Sequence, residues 1–160
     1  MQLAVFKVGG EEYSMDIMKI MEIIRPQKVT KIPRAPRFVE GVMNLRGKVV
    51  PIVDLRKRFG VDSEGGDPKK VRVIIVRLEG RVLGMVVDEV YEVIYLNSDN
   101  VEATPDTVKG ADTEYFTGVG KVGDRLIVIL DVDRLLTGDE LKGLVAAEEL
   151  ARRGAGQAPA

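Results

Sequence analysis

Apolar and polar residues alternate with a period of two from the start of the chain. Leu3, Val5, Phe6 and Val8 lead into Gly9-Gly10-Glu11-Glu12 and out again through Tyr13 and Met15, which predicts a β-hairpin. Ile17, Ile20, Met21, Ile23 and Ile24 follow at spacings of three and four, consistent with a helical turn running into a short strand that ends before Pro26. Val29 to Pro33 reads as extended. Pro36 sits where a short helix would begin, running through Val39 and stopped by Gly41. Val42 to Leu45 and Lys48 to Val53 predict two strands joined near Arg46-Gly47, with Pro51 restricting the second to an edge or a bulge. Asp54 is placed to cap a short helix, Leu55 to Phe59, ended by Gly60.

Val61 to Lys70, with Ser63-Glu64-Gly65-Gly66-Asp67-Pro68, reads as a linker or long loop. Beyond it the same pattern returns. Val71 to Leu78 and Arg81 to Val87 form a strand pair around Glu79-Gly80, followed by an apolar run from Val90 to Leu96. An offset of about 70 superimposes Gly10 on Gly80, Met15 on Met85, Ile20 on Val90, Glu22 on Glu92 and Ile24 on Ile94. An offset of about 77 then aligns Gly41 with Gly118, Ile52 with Ile129 and Asp54 with Asp131, the shift being absorbed by a loop insertion between Asn97 and Asp112. The chain is therefore an internal duplication of a five-strand unit. One unit of roughly 65 residues buries too little surface to be comfortable alone. Two small β-barrels about a pseudo-twofold axis, meeting at a groove, are expected. The sequence halves are about 17–70 and 71–137, within a single domain of 1–160 whose barrels are open to strand exchange. An amphipathic helix follows over 138–153, with a frayed tail at 154–160.

Composition narrows the function. A hydrophobic content of 45% in 160 residues supports a real core. The chain has no cysteine and no histidine, which removes disulfides, thiol chemistry and the commonest neutral-pH base and metal ligand. No apolar run approaches the ~20 residues that span a bilayer, and the N-terminus lacks a signal-peptide pattern, so a soluble cytoplasmic protein is expected. The formal net charge of −1 is unevenly placed: ten Lys or Arg against Glu40 and Asp54 lie between Arg25 and Arg58, leaving about −9 elsewhere. Such a stretch is a nucleic-acid surface, a patch for an acidic partner, or merely solvated charge. With only Phe38 and Phe59 interleaved, nucleic-acid binding is the remote reading.

Differences between the halves carry the candidate sites. Asn44-Leu45-Arg46-Gly47 stands opposite Lys121-Val122-Gly123-Asp124, so the barrel itself does not need that turn. Arg46 either rests on a neighbouring carboxylate or carbonyl, or meets a partner. Ile17, Ile20 and Ile23, with Val90, Tyr91 and Leu96 from the repeat, are either core or the lining of a groove for an amphipathic partner helix. Asp16, Asp54, Asp88 and Asp131 occupy element boundaries, where capping explains them. The Gly118-Val119-Gly120-Lys121-Val122-Gly123 run precedes a strand, outside the βαβ setting a dinucleotide site needs. No catalytic, cofactor or metal site is expected.

The run Phe38 to Arg56, with Gly41-Val42-Met43-Asn44-Leu45-Arg46-Gly47 and Pro51-Ile52-Val53-Asp54-Leu55-Arg56, closely resembles the signature of the CheW family of chemotaxis coupling proteins. Glu12-Tyr13, Asp16-Ile17, Gly84-Met85-Val86-Val87-Asp88 and Thr113-Glu114-Tyr115-Phe116-Thr117-Gly118 extend the resemblance from Leu3 to about Leu136. It implies a mainly β fold of two SH3-like five-stranded barrels and a non-enzymatic adaptor, monomeric when isolated. Such an adaptor joins the cytoplasmic tip of methyl-accepting chemoreceptors to the regulatory domain of the histidine kinase CheA in membrane-associated arrays, without inserting into the membrane. A related scaffold of a non-chemotactic two-component pathway is the alternative. The resemblance maps receptor contacts onto Ile17, Ile20, Glu22, Ile23, Asn44, Arg46, Val90, Tyr91 and Leu96, and places the kinase interface near Gly41 and Gly118.

Overall fold

The computed structural model describes residues 1–61, 66–103, 115–136 and 138–156. The linker residues 62–65, positions 104–112 of the expected insertion, Thr113 and Glu114 of the family pattern, and 157–160 of the tail lie outside them. Among the described residues twelve strands are formed: β1 Gln2–Val8, β2 Glu11–Asp16, β3 Ile20–Ile24, β4 Val29–Thr30, β5 Val39–Leu45, β6 Lys48–Asp54, β7 Arg72–Leu78, β8 Arg81–Val87, β9 Glu89–Tyr95, β10 Val101–Glu102, β11 Phe116–Val122 and β12 Arg125–Leu130. Two α-helices, α1 Leu55–Phe59 and α2 Gly138–Gly156, complete the regular elements with several 3-10 turns.

The strands form two six-stranded sheets, ordered β3-β7-β8-β6-β5-β4 and β9-β1-β2-β12-β11-β10. Position by position these orders are the same, and the duplication extends to hydrogen-bond register. The parallel pair Ile52–Gly84 of the first sheet recurs as Ile129–Ser14 in the second, and Gly41–Ile52 recurs as Gly118–Ile129. A bulge that skips Met21 in the β3–β7 pair recurs at Tyr91 in the β1–β9 pair. Strands are exchanged between repeats: the first hairpin, β1–β2, completes the sheet of β9 to β12, while β7–β8 completes that of β3 to β6. The sixth strand of each sheet, beyond the five expected, is only two residues long. Backbone pairing leaves each barrel open between its end strands, and side chains fill the gap: Ile24 of β3 and Val29 of β4 pack on one core.

Three apolar cores result. Met43, Leu45, Val50, Ile52, Val73, Ile75 and Val86 fill the first barrel, and Leu3, Val5, Ile94, Leu96, Ile127 and Ile129 fill the second. The largest core lies between the sheets, where Phe6, Tyr13 and Met15 meet Val53, Leu55, Ile74, Met85 and Leu130. Stacked and tilted rings of Tyr13, Phe59, Tyr115 and Phe116 close it. With so much apolar surface shared, the barrels pack as one block.

Two expectations are corrected. No helix forms from Pro36 to Val39: Val39 N donates to Pro36 O at 2.9 Å, and β5 begins at Val39 and continues through a bulge before Gly41. A single hydrogen-bonded turn is too short a nucleus to compete with the ladder to β6. Pro51 is not on an edge, since β6 lies between β5 and β8. It is tolerated because the parallel ladder to β8 begins one residue later, at Ile52, so its missing N–H removes no bond there. In addition, α2 continues beyond Arg153 to Gly156, and Leu144 anchors it in the shared core.

Candidate protein-docking site

Leu45 and Lys48 are a paired position, so Arg46-Gly47 is a two-residue hairpin turn. Both residues have left-handed φ, 50° and 85°, as the turn matching a right-handed strand twist requires. Nothing lies within 4 Å of the place a Gly47 Cβ would take, so backbone conformation alone favours glycine there. Asn44 Oδ1 accepts a hydrogen bond from Gly47 N at 2.8 Å and locks the turn. Arg46 projects outward with its side chain 72% exposed, and its Nη2 donates to both carboxylate oxygens of Glu22 on β3, at 2.9 and 3.0 Å. Arg46 thus does rest on a carboxylate. An ion pair this exposed contributes at most about 1 kcal/mol, so a partner's carboxylate can replace Glu22.

The second barrel carries a counterpart that the sequence conceals. Glu92, the equivalent of Glu22, is also held by an arginine, but Arg125 comes from the first residue of β12 and aligns with Lys48, not with Arg46. Arg125 Nη2 donates to Glu92 at 3.0 Å, while its Nε and Nη2 reach Glu12 at 3.1 Å each. The Tyr91 hydroxyl donates to Glu12 Oε1 at 2.5 Å. This bond, followed by those from Arg125, holds the Glu12 carboxyl below the usual carboxylate range. Burial, then the adjacent Glu12, raises the Tyr91 phenol. Bonds to Glu92 and Glu12 strengthen the protonated state of Arg125. Arg125 is therefore committed to two carboxylates, whereas Arg46 has one.

Ile17 is half-buried in a 3-10 turn, Ile17–Lys19, that packs on β1 and β7. Asp16 Oδ1 caps that turn by accepting from Met18 N at 2.9 Å. Ile20 and Val90, equivalent by the duplication, both pack half-buried against the shared core. From there β3 and β9 diverge into separate barrels. Ile23 is 41% exposed, and Tyr91 is half-buried against the second barrel's core.

Leu96 is corrected: at 3% exposure it is part of that core and offers no surface. Period-two alternation along β9 places it with Ile94, and Tyr95 with Val93, so the signal was present. Exposed apolar residues flanking these positions were missed: Met18 (84%), Met21 (48%), Val93 (55%) and Tyr95 (77%). Leu96→Ala is expected to lower the unfolding free energy by about 2–5 kcal/mol, and Tyr95→Ala by less than about 0.5 kcal/mol. Chemical denaturation distinguishes them, and a wild-type midpoint for Leu96→Ala would contradict its burial.

Gly41 and Gly118 are equivalent framework positions. A Cβ on Gly41 would lie 2.1 Å from Thr30 O, and one on Gly118 2.6 Å from Glu102 O, because β4 and β10 cross directly over them.

Of the four aspartates, Asp16, Asp54 and Asp131 cap turns as expected, whereas Asp88 caps none and instead bridges segments distant in sequence. Asp54 Oδ1 caps α1 through Arg56 N at 2.9 Å, and Asp131 Oδ1 accepts from Asp133 N at 3.1 Å. Buried Asp54 also binds Arg56 Nε and Nη2, at 3.0 Å each. Arg56 Nη1 continues to Asp88 at 3.2 Å, and Asp88 accepts from Gly9 N at 2.7 Å. Hydrogen bonds to Asp54 strengthen the protonated form of Arg56. Residues 118–123 lie in β11 and its turn, away from any helix start. Among the described residues there is no group of three metal-ligating side chains, and no helix is long and apolar enough to cross a membrane.

Comparison with known proteins places this architecture. The family model described as CheW-like domain matches residues 2–140. A chemotaxis protein CheW of Klebsiella aerogenes is 39% identical over 140 residues, covering 88% of this chain and 84% of its own length. One from Treponema pallidum is 36% identical over 146 residues, with coverages of 89% and 86%. The crystal structure of the scaffolding protein TtCheW from Thermoanaerobacter tengcongensis matches with a TM-score of 0.78 at 37% identity, covering 87% of this chain and 94% of that one.

Proposed function

The chain belongs to the CheW family of chemotaxis scaffold proteins, and from that premise we propose that it couples methyl-accepting chemoreceptors to the histidine kinase CheA by docking a receptor helix beside Arg46. The observation that carries this reading is the exposed Arg46 guanidinium, fixed by a rigid turn and held by a single exchangeable carboxylate. Glu22, its partner, is flanked on β3 by exposed Met21 and Ile23. An amphipathic helix offers such a face both an apolar stripe and an acidic residue.

Ile17, Ile20, Glu22, Ile23, Asn44, Arg46, Val90 and Tyr91 form the receptor side, with exposed Met18 and Met21 joining it and Leu96 supporting it from within the core. The regulatory domain of CheA meets the barrel ends near Gly41 and Gly118. The protein acts in the cytoplasm, is recruited to receptor arrays and is a monomer alone. No chemistry is required. A rigid block that contacts two partners couples them if it binds one of their states better than the other.

The test is capture by a receptor cytoplasmic fragment and by the CheA regulatory domain, separately and together. Each alone should retain the protein, and both should be retained in one complex. Mutually exclusive capture, or no capture by the receptor fragment, would sink the proposal.

A further inference from the structure

The fold divides the ten cations between Arg25 and Arg58 into two classes. Those after β5 begins are mostly neutralised: Arg46 by Glu22, Arg56 by Asp54 and Asp88, Lys57 by Glu40, and Arg58 by Glu140. Arg25, Lys28, Lys31, Arg34 and Arg37 are all exposed, and none forms an ion pair among the described residues. No acidic residue occurs between Glu22 and Glu40. Five unpaired positive charges therefore run along thirteen residues on one flank of the first barrel.

Their presentation is constrained. Prolines at 26, 33 and 36 fix the backbone between them. Lys28 and Lys31 bracket the two-residue β4, which ends its sheet. Arg34 takes a left-handed φ of 64°, a conformation that glycine adopts without penalty and a long side chain does not. Lysine on an edge strand discourages unwanted sheet pairing, which accounts for two of the five and leaves Arg25, Arg34 and Arg37 unexplained.

We infer that Arg25–Arg37 is a docking surface for an acidic protein, adjoining the Arg46 face where Val29 pairs with Met43 beside Asn44. A protein partner is favoured over a nucleic acid by charge and by stacking. An extended polyanion also meets the rest of the chain, which carries about −9, whereas a compact acidic patch within a Debye length of about 8–10 Å meets only the local cations. The nearest ring, Phe38, already has Arg58 over its face at 5.1 Å and is no platform for a base. The identity of the partner, receptor tip or kinase domain, rests on the proposed scaffold role, but the electrostatics do not.

The experiment compares the wild type with R25Q/K28Q/K31Q/R34Q/R37Q by stopped-flow association across a salt series, using the receptor cytoplasmic fragment and the CheA regulatory domain. The variant should associate with at least one of them about 10-fold more slowly at low salt, with a flattened salt dependence. Polyglutamate should compete with the wild type, and oligothymidylate should not. Equal rates with both fragments at every salt concentration overturn the inference while leaving the scaffold role intact, and stronger competition by oligothymidylate overturns it in favour of nucleic acid. If neither fragment binds the wild type, the scaffold role fails. Polyglutamate then decides alone: retention of the wild type but not of the variant supports the inference, and retention of neither overturns it. Melting curves confirm that the variant is folded.

Discussion

Arg46→Glu should abolish receptor-dependent control of the kinase in a reconstituted array while leaving the protein folded. The backbone around the substitution is held by Asn44 and by the pairing of Leu45 with Lys48, neither of which involves the Arg46 side chain. The lost pair with Glu22 is exposed and contributes at most about 1 kcal/mol. At an interface the same guanidinium is worth more: removing a central arginine costs about 2 kcal/mol or more, roughly 30-fold in affinity. Reversing the charge adds repulsion toward any acidic partner. The double variant Glu22→Arg/Arg46→Glu separates the two roles. It restores an ion pair at the tip of the hairpin, so an arginine that merely steadied β3 against the turn would be rescued. An arginine offered to a receptor carboxylate is not replaced, and coupling should stay lost. Normal coupling by the single variant, or full rescue by the double one, would remove Arg46 from the docking role.

Much of this architecture was legible because duplication leaves a regular trace. The offsets of 70 and 77 align the bulges, the parallel pairs and the glycine crossings of both sheets, and Asp54 at the start of α1 reads directly as a cap. Other features depended on information that lies off the local chain. Pro36 resembles a helix start, but the ladder from β5 to β6 outweighs one helical turn. Pro51 looks like an edge residue until the late start of the parallel ladder is known. Arg125 was missed as the counterpart of Arg46 because it reaches Glu92 from two positions further along. Such a substitution preserves the ion pair in space and erases it in the alignment. Leu96 was readable: alternation along β9 already placed it with Ile94.

Gly41→Ala should be strongly destabilising, costing about 3 kcal/mol or more from a backbone clash and a strained φ together. The new Cβ would lie 2.1 Å from Thr30 O and 2.8 Å from Thr30 C, at φ 141°. Backbone atoms cannot rotate away as a side chain can, so β4 must detach or β5 must flatten its bulge. Gly118→Ala meets Glu102 O at 2.6 Å without a positive φ, and its smaller cost, about 1–3 kcal/mol, comes from overpacking alone. Gly143→Ala, with nothing within 4 Å, serves as the control: in the middle of α2 it should gain about 0.5–1 kcal/mol. Thermal denaturation ranks the three. The same variants test the expectation that the kinase interface lies near Gly41 and Gly118. If Gly118 is framework and only adjoins the interface, Gly118→Ala below its melting temperature should still bind the CheA regulatory domain, since the displaced atoms belong to β10. A variant of wild-type stability that no longer binds would mean that the glycine itself touches the partner and that the close approach of β10 is not what demands it.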